Sequence, residues 1–180
     1  MADAFVFPIH EAEKAQFVLA AENGYELQSV LSCIGDKGQA ESIKRCCASG
    51  RCYIWAVPDG RENLPTWDLI SANDLLLAYS NGSIIAASYV LTTLDDPSLA
   101  HALWGTNEKG APLMCFTEKP YTGEVPLVEQ MHRYIAPGFT RFTRLDPDRC
   151  SNILSDYGSF EIFVRLCLKY DFPFSFRHSE

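Results

Sequence analysis

The sequence has no apolar run long enough to cross a membrane. Its longest apolar runs, such as residues 84–90, are far shorter than the roughly 20 residues that a membrane helix needs. Residues 1–4 also show no basic region followed by a long apolar stretch, which a signal peptide requires. We therefore expect a cytoplasmic protein with no membrane partner.

Recognisable catalytic motifs are missing as well. The histidines stand alone and form neither an H-x-x-x-H nor an H-E-x-x-H pattern. There is no G-x-S-x-G nucleophile elbow and no G-x-x-x-x-G-K-[ST] phosphate loop. The adjacent Asp95 and Asp96 are best explained as a turn or a helix cap. We expect a binding domain with no catalytic residues and no cofactor.

The seven cysteines lack the regular spacing of a disulfide scaffold. Cys33, Cys46, Cys47 and Cys52 crowd one region, but only the last two approach the C-x₂₋₄-C spacing of a zinc site. Neither a second pair nor a nearby histidine completes such a site. We expect reduced thiols, some of them buried like small apolar side chains, and no bound metal.

Positive charge is also in short supply. The chain holds 15 Lys and Arg against 23 Asp and Glu, a net charge of −8, whereas nucleic-acid binding usually draws on a basic surface. The acidic residues concentrate in residues 3–26 and 59–96. Residues 132–149 instead hold four arginines, which either face phosphate or form an ordinary solvated surface. The candidates for phosphate binding are Arg133, Arg141 and Arg144.

The 180 residues are enough for one domain with a substantial core, and we expect a single domain over the whole chain. The pattern near the N-terminus predicts a strand at residues 4–9 and helices at residues 11–22 and 37–48. Residues 25–34 fit either a helix or a strand.

The middle of the chain is typical of β-structure. Arg51–Val57 predicts a strand that turn residues 58–60 end, and Asn81-Gly82 between two apolar runs, residues 74–79 and 83–92, indicates a β-hairpin. Farther on, the pattern predicts a helix at Pro97–Trp104, a strand at residues 112–117 and a helical turn at residues 128–134. It then predicts two helices, at residues 148–155 and 159–169. Helices around a central hairpin system predict an α+β fold whose sheet curls into a small barrel.

The tryptophans are the most informative single residues. Trp55 lies inside a predicted strand, Trp67 follows a turn, and Trp104 ends a short predicted helix before Gly105. Aromatic faces can hold an unstacked base, because every base offers a π-face. The alternative interpretation is that all three tryptophans fill the core.

The order of several segments along the chain indicates a family. These segments are Tyr53-Ile54-Trp55, Trp67-Asp68-Leu69-Ile70, Asn73-Asp74-Leu75-Leu76-Leu77-Ala78-Tyr79, the hairpin, and Leu99-Ala100-His101-Ala102-Leu103-Trp104-Gly105. This order resembles the EVE and YTH-like branch of the PUA superfamily over roughly residues 50–165. In particular, it is similar to the EVE-type domains at the N-termini of modification-dependent restriction proteins of the McrB kind. Asn73-Asp74 stands where that group usually has Gly-Asp.

The resemblance implies a PUA-like, EVE/YTH-type fold, in which helices flank a curled, mixed β-sheet barrel. It implies binding of DNA that carries a methylated or otherwise modified base, flipped out of the duplex and held in an aromatic cage. By position, Trp55 and Trp104 correspond to the cage walls, whereas Trp67 is expected to be structural. The candidates for polar contacts to the base are Tyr79, Ser80 and Asn81.

Such a domain would give specificity to a restriction system. Its ATPase or nuclease would then lie in another domain or subunit, and the chain would be a fragment of a longer restriction protein. Two alternatives stay open. One is a free-standing PUA-like RNA-binding protein. The other is a small ASCH-like hydrolase, which would need a polar pocket where Lys, Glu and Thr side chains converge.

Overall fold

The computed structural model describes residues 2–57, 63–105 and 113–169. Its strands are β1 (Ala4–Pro8), β2 (Tyr25–Glu26), β3 (Arg51–Val57), β4 (Leu75–Ser80), β5 (Ser83–Leu94), β6 (Leu113–Thr117), β7 (Tyr121–Pro126) and β8 (Thr143–Arg144). Its helices are α1 (Glu11–Asn23), α2 (Leu27–Cys33), α3 (Lys37–Cys46), α4 (Leu64–Trp67), α5 (Pro97–Trp104), α6 (Pro147–Tyr157) and α7 (Phe160–Leu166), with a 3₁₀ turn at Glu129–Met131. The predicted α+β class is confirmed.

The strands form one mixed sheet. β1 pairs with β4 in parallel, and the other described strand pairs are antiparallel. The strand order is β2-β3-β6-β5-β4-β1-β8, and β7 also pairs with β5. Within the described residues the sheet is not closed, so the predicted barrel is incomplete. The two terminal strands, β2 and β8, are only two residues long, too short to complete a ring of hydrogen bonds.

Alternation of side chains along the strands divides the core between two faces of the sheet. We call one the inner face; α1 and α4 cover it, and its buried residues form the inner-face cluster, which comprises Phe5, Phe7, Trp55, Val57, Ile70, Leu76, Ala78, Ile85, Ala86, Val90, Leu113, Cys115 and Phe142. The opposite, outer face carries two further clusters. One lies with the side chains of α6 and α7, and the other with those of α2, α3 and α5.

The predicted hairpin joins β4 to β5. Asn81 and Gly82 have φ angles of 45° and 84°, and a two-residue hairpin turn of type I′ needs positive φ at both central positions. Asparagine and glycine are the residues that adopt this conformation at least cost. The local sequence therefore fixes the turn and the register of the two strands.

A second left-handed residue precedes β4. Asn73 has a φ of 73°, so asparagine here takes a conformation that glycine adopts freely and that asparagine tolerates better than most residues. The carboxylate of the next residue, Asp74, accepts hydrogen bonds from the backbone N–H groups of Asp3 and Ser71, both at 2.7 Å. Asp74 thereby fixes the start of β4 against the segment that leads into β1.

Helix α5 begins and ends at the predicted residues, because both of its ends are capped. Asp96 caps it, accepting hydrogen bonds from the N–H groups of Ser98 and Leu99 at 2.9 and 3.0 Å, and Gly105 ends it with a φ of 66°.

The ambiguous residues 25–34 contain both a strand, β2, and a helix, α2. The predicted turn at residues 58–60 and the first residue of the predicted strand at 112–117 lie outside the described residues.

Candidate functional site

β3 places Trp55 on the inner face, directly opposite Cys115 of β6. The preceding pair of cross-strand partners, Ile54 and Phe116, points to the outer face. Trp55 is only 1% exposed and is among the largest fully buried side chains. Its position is therefore set by the sheet itself and not by a loop.

Aromatic rings from separate elements surround Trp55. The ring centroid of Phe7 on β1 lies 5.4 Å away at an interplanar angle of 88°, and that of Phe17 on α1 lies 5.2 Å away at 80°. Phe142 extends the group, with its centroid 4.6 Å from that of Phe7. Edge-to-face pairs of this kind contribute roughly 0.5–1.5 kcal/mol each beyond the burial of area. The result is a rigid aromatic wall under α1.

Two indole N–H groups in this region have unmet hydrogen-bonding capacity. The Nε1 atoms of Trp55 and Trp67 are buried, and neither has a hydrogen-bond partner among the described residues. Trp67 ends α4 and packs on the inner-face cluster. Burial raises the pKa of the Cys115 thiol, and a weak interaction with the Trp67 indole N–H, too poor in geometry to count as a hydrogen bond, lowers it. Trp55, Cys115 and Trp67 thus lie together.

Trp104 lies on the opposite side of the sheet. It packs against the outer-face cluster of α2, α3 and α5. Its indole N–H donates a hydrogen bond to the Tyr25 hydroxyl at 3.0 Å, and the two rings meet edge to face with centroids 6.4 Å apart. The structure therefore does not bring Trp55 and Trp104 together as facing walls. Trp104 instead connects the end of α5 to β2 through its contacts with Tyr25.

Tyr79, Ser80 and Asn81, the predicted polar contacts to the base, are either engaged in other hydrogen bonds or remote from the inner-face cluster. Tyr79 faces the outer side, where its hydroxyl accepts a hydrogen bond from the Gly138 N–H at 2.8 Å. Ser80 is buried, and its hydroxyl donates to the carboxylate of Glu11 at 3.2 Å. Asn81 is exposed in the turn. The polar atoms of Tyr79 and Ser80 thus support the fold around the hairpin.

The three candidate arginines have different surroundings. Arg133 forms an ion pair with Asp156 at 3.1 Å, and Arg144 forms one with Asp3 at 2.8 Å. The hydrogen bond that Arg144 donates to the Asp3 carboxylate raises the pKa of Arg144. Arg141 is exposed and immediately precedes Phe142, whose ring packs in the inner-face cluster. Arg141 is therefore the candidate placed next to the aromatic group.

A small polar cavity of about 250 Å³ lies between α1 and β7. The Lys14 ammonium forms an ion pair with Glu124 at 3.0 Å, and the Thr122 hydroxyl donates to Glu22 at 2.9 Å. Lysine, glutamate and threonine side chains thus converge, as a hydrolase of the ASCH type would need. The mutual hydrogen bond raises the pKa of Lys14 and lowers that of Glu124. Both shifts lead away from the near-neutral pKa that suits a general base or acid.

All seven cysteines are free thiols. Cys47 and Cys52 are hydrogen-bonded to each other, which lowers the pKa of Cys47 and raises that of Cys52. No group of three or more His, Cys, Asp or Glu side chains within the described ranges could hold a metal ion. None of the helices described is long and apolar enough to pass through a bilayer.

Sequence reasoning did not place Trp67, Phe7 and Phe17 in the aromatic group around Trp55. The signal for Phe7 was present, because it alternates with Val6 in a strand and so shares a face with Phe5. Trp67 belongs to a single helical turn of four residues, which is too short to show periodicity. The placement of Phe17 depends on how α1 crosses the sheet, which no local pattern encodes.

No protein-family model matches the chain, and no curated protein matches its sequence. Among solved structures, it is similar to the N-terminal domain of Thermococcus gammatolerans McrB bound to m5C DNA, with a TM-score of 0.61 and 17% sequence identity. The similarity covers 86% of this chain and 96% of that one. This chain therefore has the PUA-like α+β fold of the McrB N-terminal domain.

Proposed function

We propose that this chain is a DNA-binding domain that recognises a modified base. The first support is the shared fold: the similar McrB domain was solved with m5C DNA, and the likeness covers 96% of its length. The second support is local. An aromatic group with unmet hydrogen-bond donors lies on the inner face of the sheet, where α1 and α4 cover it.

The observation that carries the proposal is the pair of indole N–H groups of Trp55 and Trp67. Leaving a donor buried without an acceptor costs on the order of 1–3 kcal/mol. The Nε1 atom of Trp55 is in that state among the described residues, and the Nε1 atom of Trp67 has only the weakly accepting Cys115 sulfur beside it. The edge of a nucleobase offers carbonyl and ring-nitrogen acceptors. A base bound here would satisfy these donors and stack on aromatic rings. Trp67, and not Trp104, is then the partner of Trp55.

Entry of a base requires movement, because Trp55 is 1% exposed. Helix α4 is the element that can move at least cost, since it is a single turn of four residues and its Trp67 is only half-buried. Flipping a base costs a few kcal/mol, and stacking on an aromatic side chain returns about 1–3 kcal/mol per base. One added methyl group contributes only about 0.8 kcal/mol. Selectivity for a modified base therefore depends also on shape and hydrogen bonding.

Phosphate contacts would come from the segment that contains Arg141. Arg141 is exposed beside Phe142, which packs in the inner-face cluster. Arg133 and Arg144 form ion pairs with Asp156 and Asp3; Arg141 is favoured for its exposure and its place beside Phe142. With a net charge of −8, the domain would bind DNA through few phosphates and depend strongly on the base.

In the cell, such a domain would serve as the specificity module of a modification-dependent restriction system. Cleavage would then be carried out by another domain or subunit. The test of the proposal is equilibrium binding to matched DNA duplexes that differ at one modified base, with single-stranded RNA of the same sequence in parallel. We expect preference for modified DNA. Equal binding of modified and plain duplexes, or tighter binding of RNA, would contradict the proposal.

The polar cavity beside Lys14 favours a second candidate, a hydrolase acting on modified nucleosides. The convergence of Lys14, Glu124, Glu22 and Thr122 is the supporting observation. Against this activity, the pKa of Lys14 is raised and that of Glu124 is lowered. Both groups therefore stay charged as an ion pair near neutral pH and are poorly suited to proton transfer. Turnover of modified nucleosides that is abolished by Lys14→Gln would establish this activity, and absence of turnover would leave base recognition as the function.

A further inference from the structure

Two buried cysteines meet where α3 leads into β3. Cys47 directly follows the last residue of α3 and is 3% exposed, and Cys52 is the second residue of β3 and is fully buried. Both belong to the outer-face cluster of α2, α3 and α5, and their thiols are hydrogen-bonded to each other. The two sulfur atoms are therefore neighbours in the fold, and removal of two hydrogen atoms would convert the pair into a disulfide.

The chain between the two cysteines is a short turn that is held at both ends. The Gly50 N–H donates a hydrogen bond to the Cys47 carbonyl at 3.0 Å, and Gly50 has a φ of 81°, which glycine adopts freely. The Gly50 carbonyl in turn accepts a hydrogen bond from the Leu27 N–H at 3.0 Å. β2 pairs with β3 so that Tyr25 lies opposite Cys52. These backbone contacts hold the two side chains toward each other, as a disulfide requires.

The same turn sets the access of reagents to the pair. Ala48, Ser49 and Gly50 are all exposed, so the thiols lie beneath a single turn of chain at the surface. The susceptibility of a thiol to oxidation follows its thiolate character and its exposure. Because Cys47 is only 3% exposed, this site admits a small neutral oxidant such as hydrogen peroxide more readily than a bulky disulfide reagent.

The hydrogen bond makes the two thiols chemically unequal. It lowers the pKa of Cys47, although burial opposes that shift, and it raises the pKa of Cys52. Lys44 and Arg45 supply positive charge in the last turn of α3, which offsets the negative end of that helix. Because the thiolate is the form that attacks an oxidant, Cys47 is the sulfur that reacts first, and Cys52 is the sulfur that resolves the product.

We infer that Cys47 and Cys52 form a reversible disulfide when the domain meets hydrogen peroxide. The Cys47 thiolate attacks one peroxide oxygen, the O–O bond breaks, and the leaving hydroxide takes up the proton that Cys47 gave up. The Cys52 sulfur then attacks the sulfenic acid on Cys47; the S–S bond forms, the S–O bond breaks, and the second hydroxide leaves as water with the Cys52 proton. Two thiols are oxidised and one peroxide is reduced to two waters. This inference is independent of base recognition.

Peptide mapping of the whole chain tests the proposal. Trypsin cleaves after Arg51, which lies between the two cysteines, so a disulfide between them joins two tryptic peptides, residues 46–51 and 52–61. The chain is treated with stoichiometric hydrogen peroxide, and the remaining thiols are blocked with iodoacetamide in denaturant before digestion. We expect mass spectrometry to show the linked peptides with the bond at Cys47 and Cys52, and dithiothreitol to release them. Absence of linked peptides, or a bond at any other cysteine, would overturn the proposal.

Cys46 provides the matched control, because it is on the same tryptic peptide, is less buried than Cys47, and has its pKa raised by burial. Cys46→Ser is expected to keep the linked peptides and Cys47→Ser to lose them. In Cys52→Ser the sulfenic acid lacks its resolving thiol, so we expect about threefold more dimedone adduct at Cys47 than in the parent chain. Linked peptides in Cys47→Ser, or equal adduct at Cys46 and Cys47 in Cys52→Ser, would overturn the proposal. The mapping of the parent chain decides the matter even where a variant does not fold.

Discussion

Trp55 and Trp104 lie on opposite faces of the same sheet. Trp55 packs edge to face with Phe7 and Phe17 on the inner side, whereas Trp104 donates its indole N–H to Tyr25 on the outer side. The cause is the alternation of side chains in β3 and the packing of α5 against the face that Ile54 and Phe116 occupy. The two tryptophans therefore have separate roles, one in the inner-face cluster and one in anchoring α5.

The anchoring role of Trp104 gives a prediction for stability. Tyr25→Phe removes the hydroxyl that accepts from the Trp104 indole and leaves that N–H without its partner. We expect the free energy of unfolding to fall by about 1 kcal/mol, the usual size of one such hydrogen bond. Urea denaturation followed by circular dichroism measures it.

The control for this substitution is Leu19→Ser, because Leu19 is 60% exposed on α1 and its loss removes little buried area. Affinity for modified DNA is expected to be unchanged in Tyr25→Phe. A stability equal to that of the parent chain would show that the bond between Tyr25 and Trp104 contributes nothing, and a loss of DNA preference would place Trp104 back at the base site.

Much of the fold was predictable from local chemistry. Asn81-Gly82 fixed the hairpin because few residue pairs adopt two positive φ angles, and Asp96 with Gly105 set the two ends of α5. β7 was not predicted, since Gly123 and Pro126 interrupt its pattern and its partner β5 is distant in sequence. The local sequence also could not show that the sheet of the described residues stays open, because this depends on two terminal strands of only two residues each.

The candidate site was predictable only in part. Trp55 was predicted as a base-binding residue because its place in the order of segments resembles a known family, and that role stays a prediction. Sequence order predicted Trp104 as its partner, whereas the structure packs Trp67 against the cluster of Trp55 and places Trp104 on the other face. Which face a helix covers depends on tertiary packing, and α5 had no feature in its own sequence that identified the outer face.

Asp74 gives a prediction for the pH dependence of stability. Burial raises the pKa of its carboxyl above the ordinary 3.8, although the backbone N–H groups of Asp3 and Ser71 oppose the shift. A carboxyl that binds its proton more tightly in the folded state stabilises the fold below pH 3.8. That contribution is lost as the pH rises through the folded-state pKa. Urea midpoints between pH 3 and pH 7 in Asp74→Asn, compared with the parent chain, measure it.

We expect the parent chain to lose stability relative to Asp74→Asn as the pH rises from about 4 toward neutrality. A suitable control is Asp68→Asn, since Asp68 is exposed and caps the short helix α4. A stability difference between the parent and Asp74→Asn that is constant across this range would contradict the raised pKa.

Arg141 gives a prediction for the electrostatics of binding. If its guanidinium contacts a phosphate, Arg141→Ala should weaken binding to modified and plain DNA by a similar factor. The slope of log K against log salt concentration should also become shallower by about 1, because one counterion fewer is released. Fluorescence anisotropy at several salt concentrations measures both quantities.

Arg133→Ala is the matched comparison, because Arg133 lies over the Tyr134 ring on the other side of the core and forms an ion pair with Asp156 there. Its salt slope is expected to equal that of the parent chain. An unchanged slope in Arg141→Ala, or an equal change in both variants, would remove Arg141 as the phosphate contact.

The most direct test of the proposed function compares Trp67→Phe with Trp104→Phe in binding to duplexes with and without a modified base. Both substitutions keep an aromatic ring and remove one indole N–H. We predict that Trp67→Phe reduces the preference for modified DNA about three- to tenfold, the equivalent of one hydrogen bond, and that Trp104→Phe leaves it unchanged. An unchanged preference in Trp67→Phe together with a loss in Trp104→Phe would contradict base recognition at the inner-face cluster.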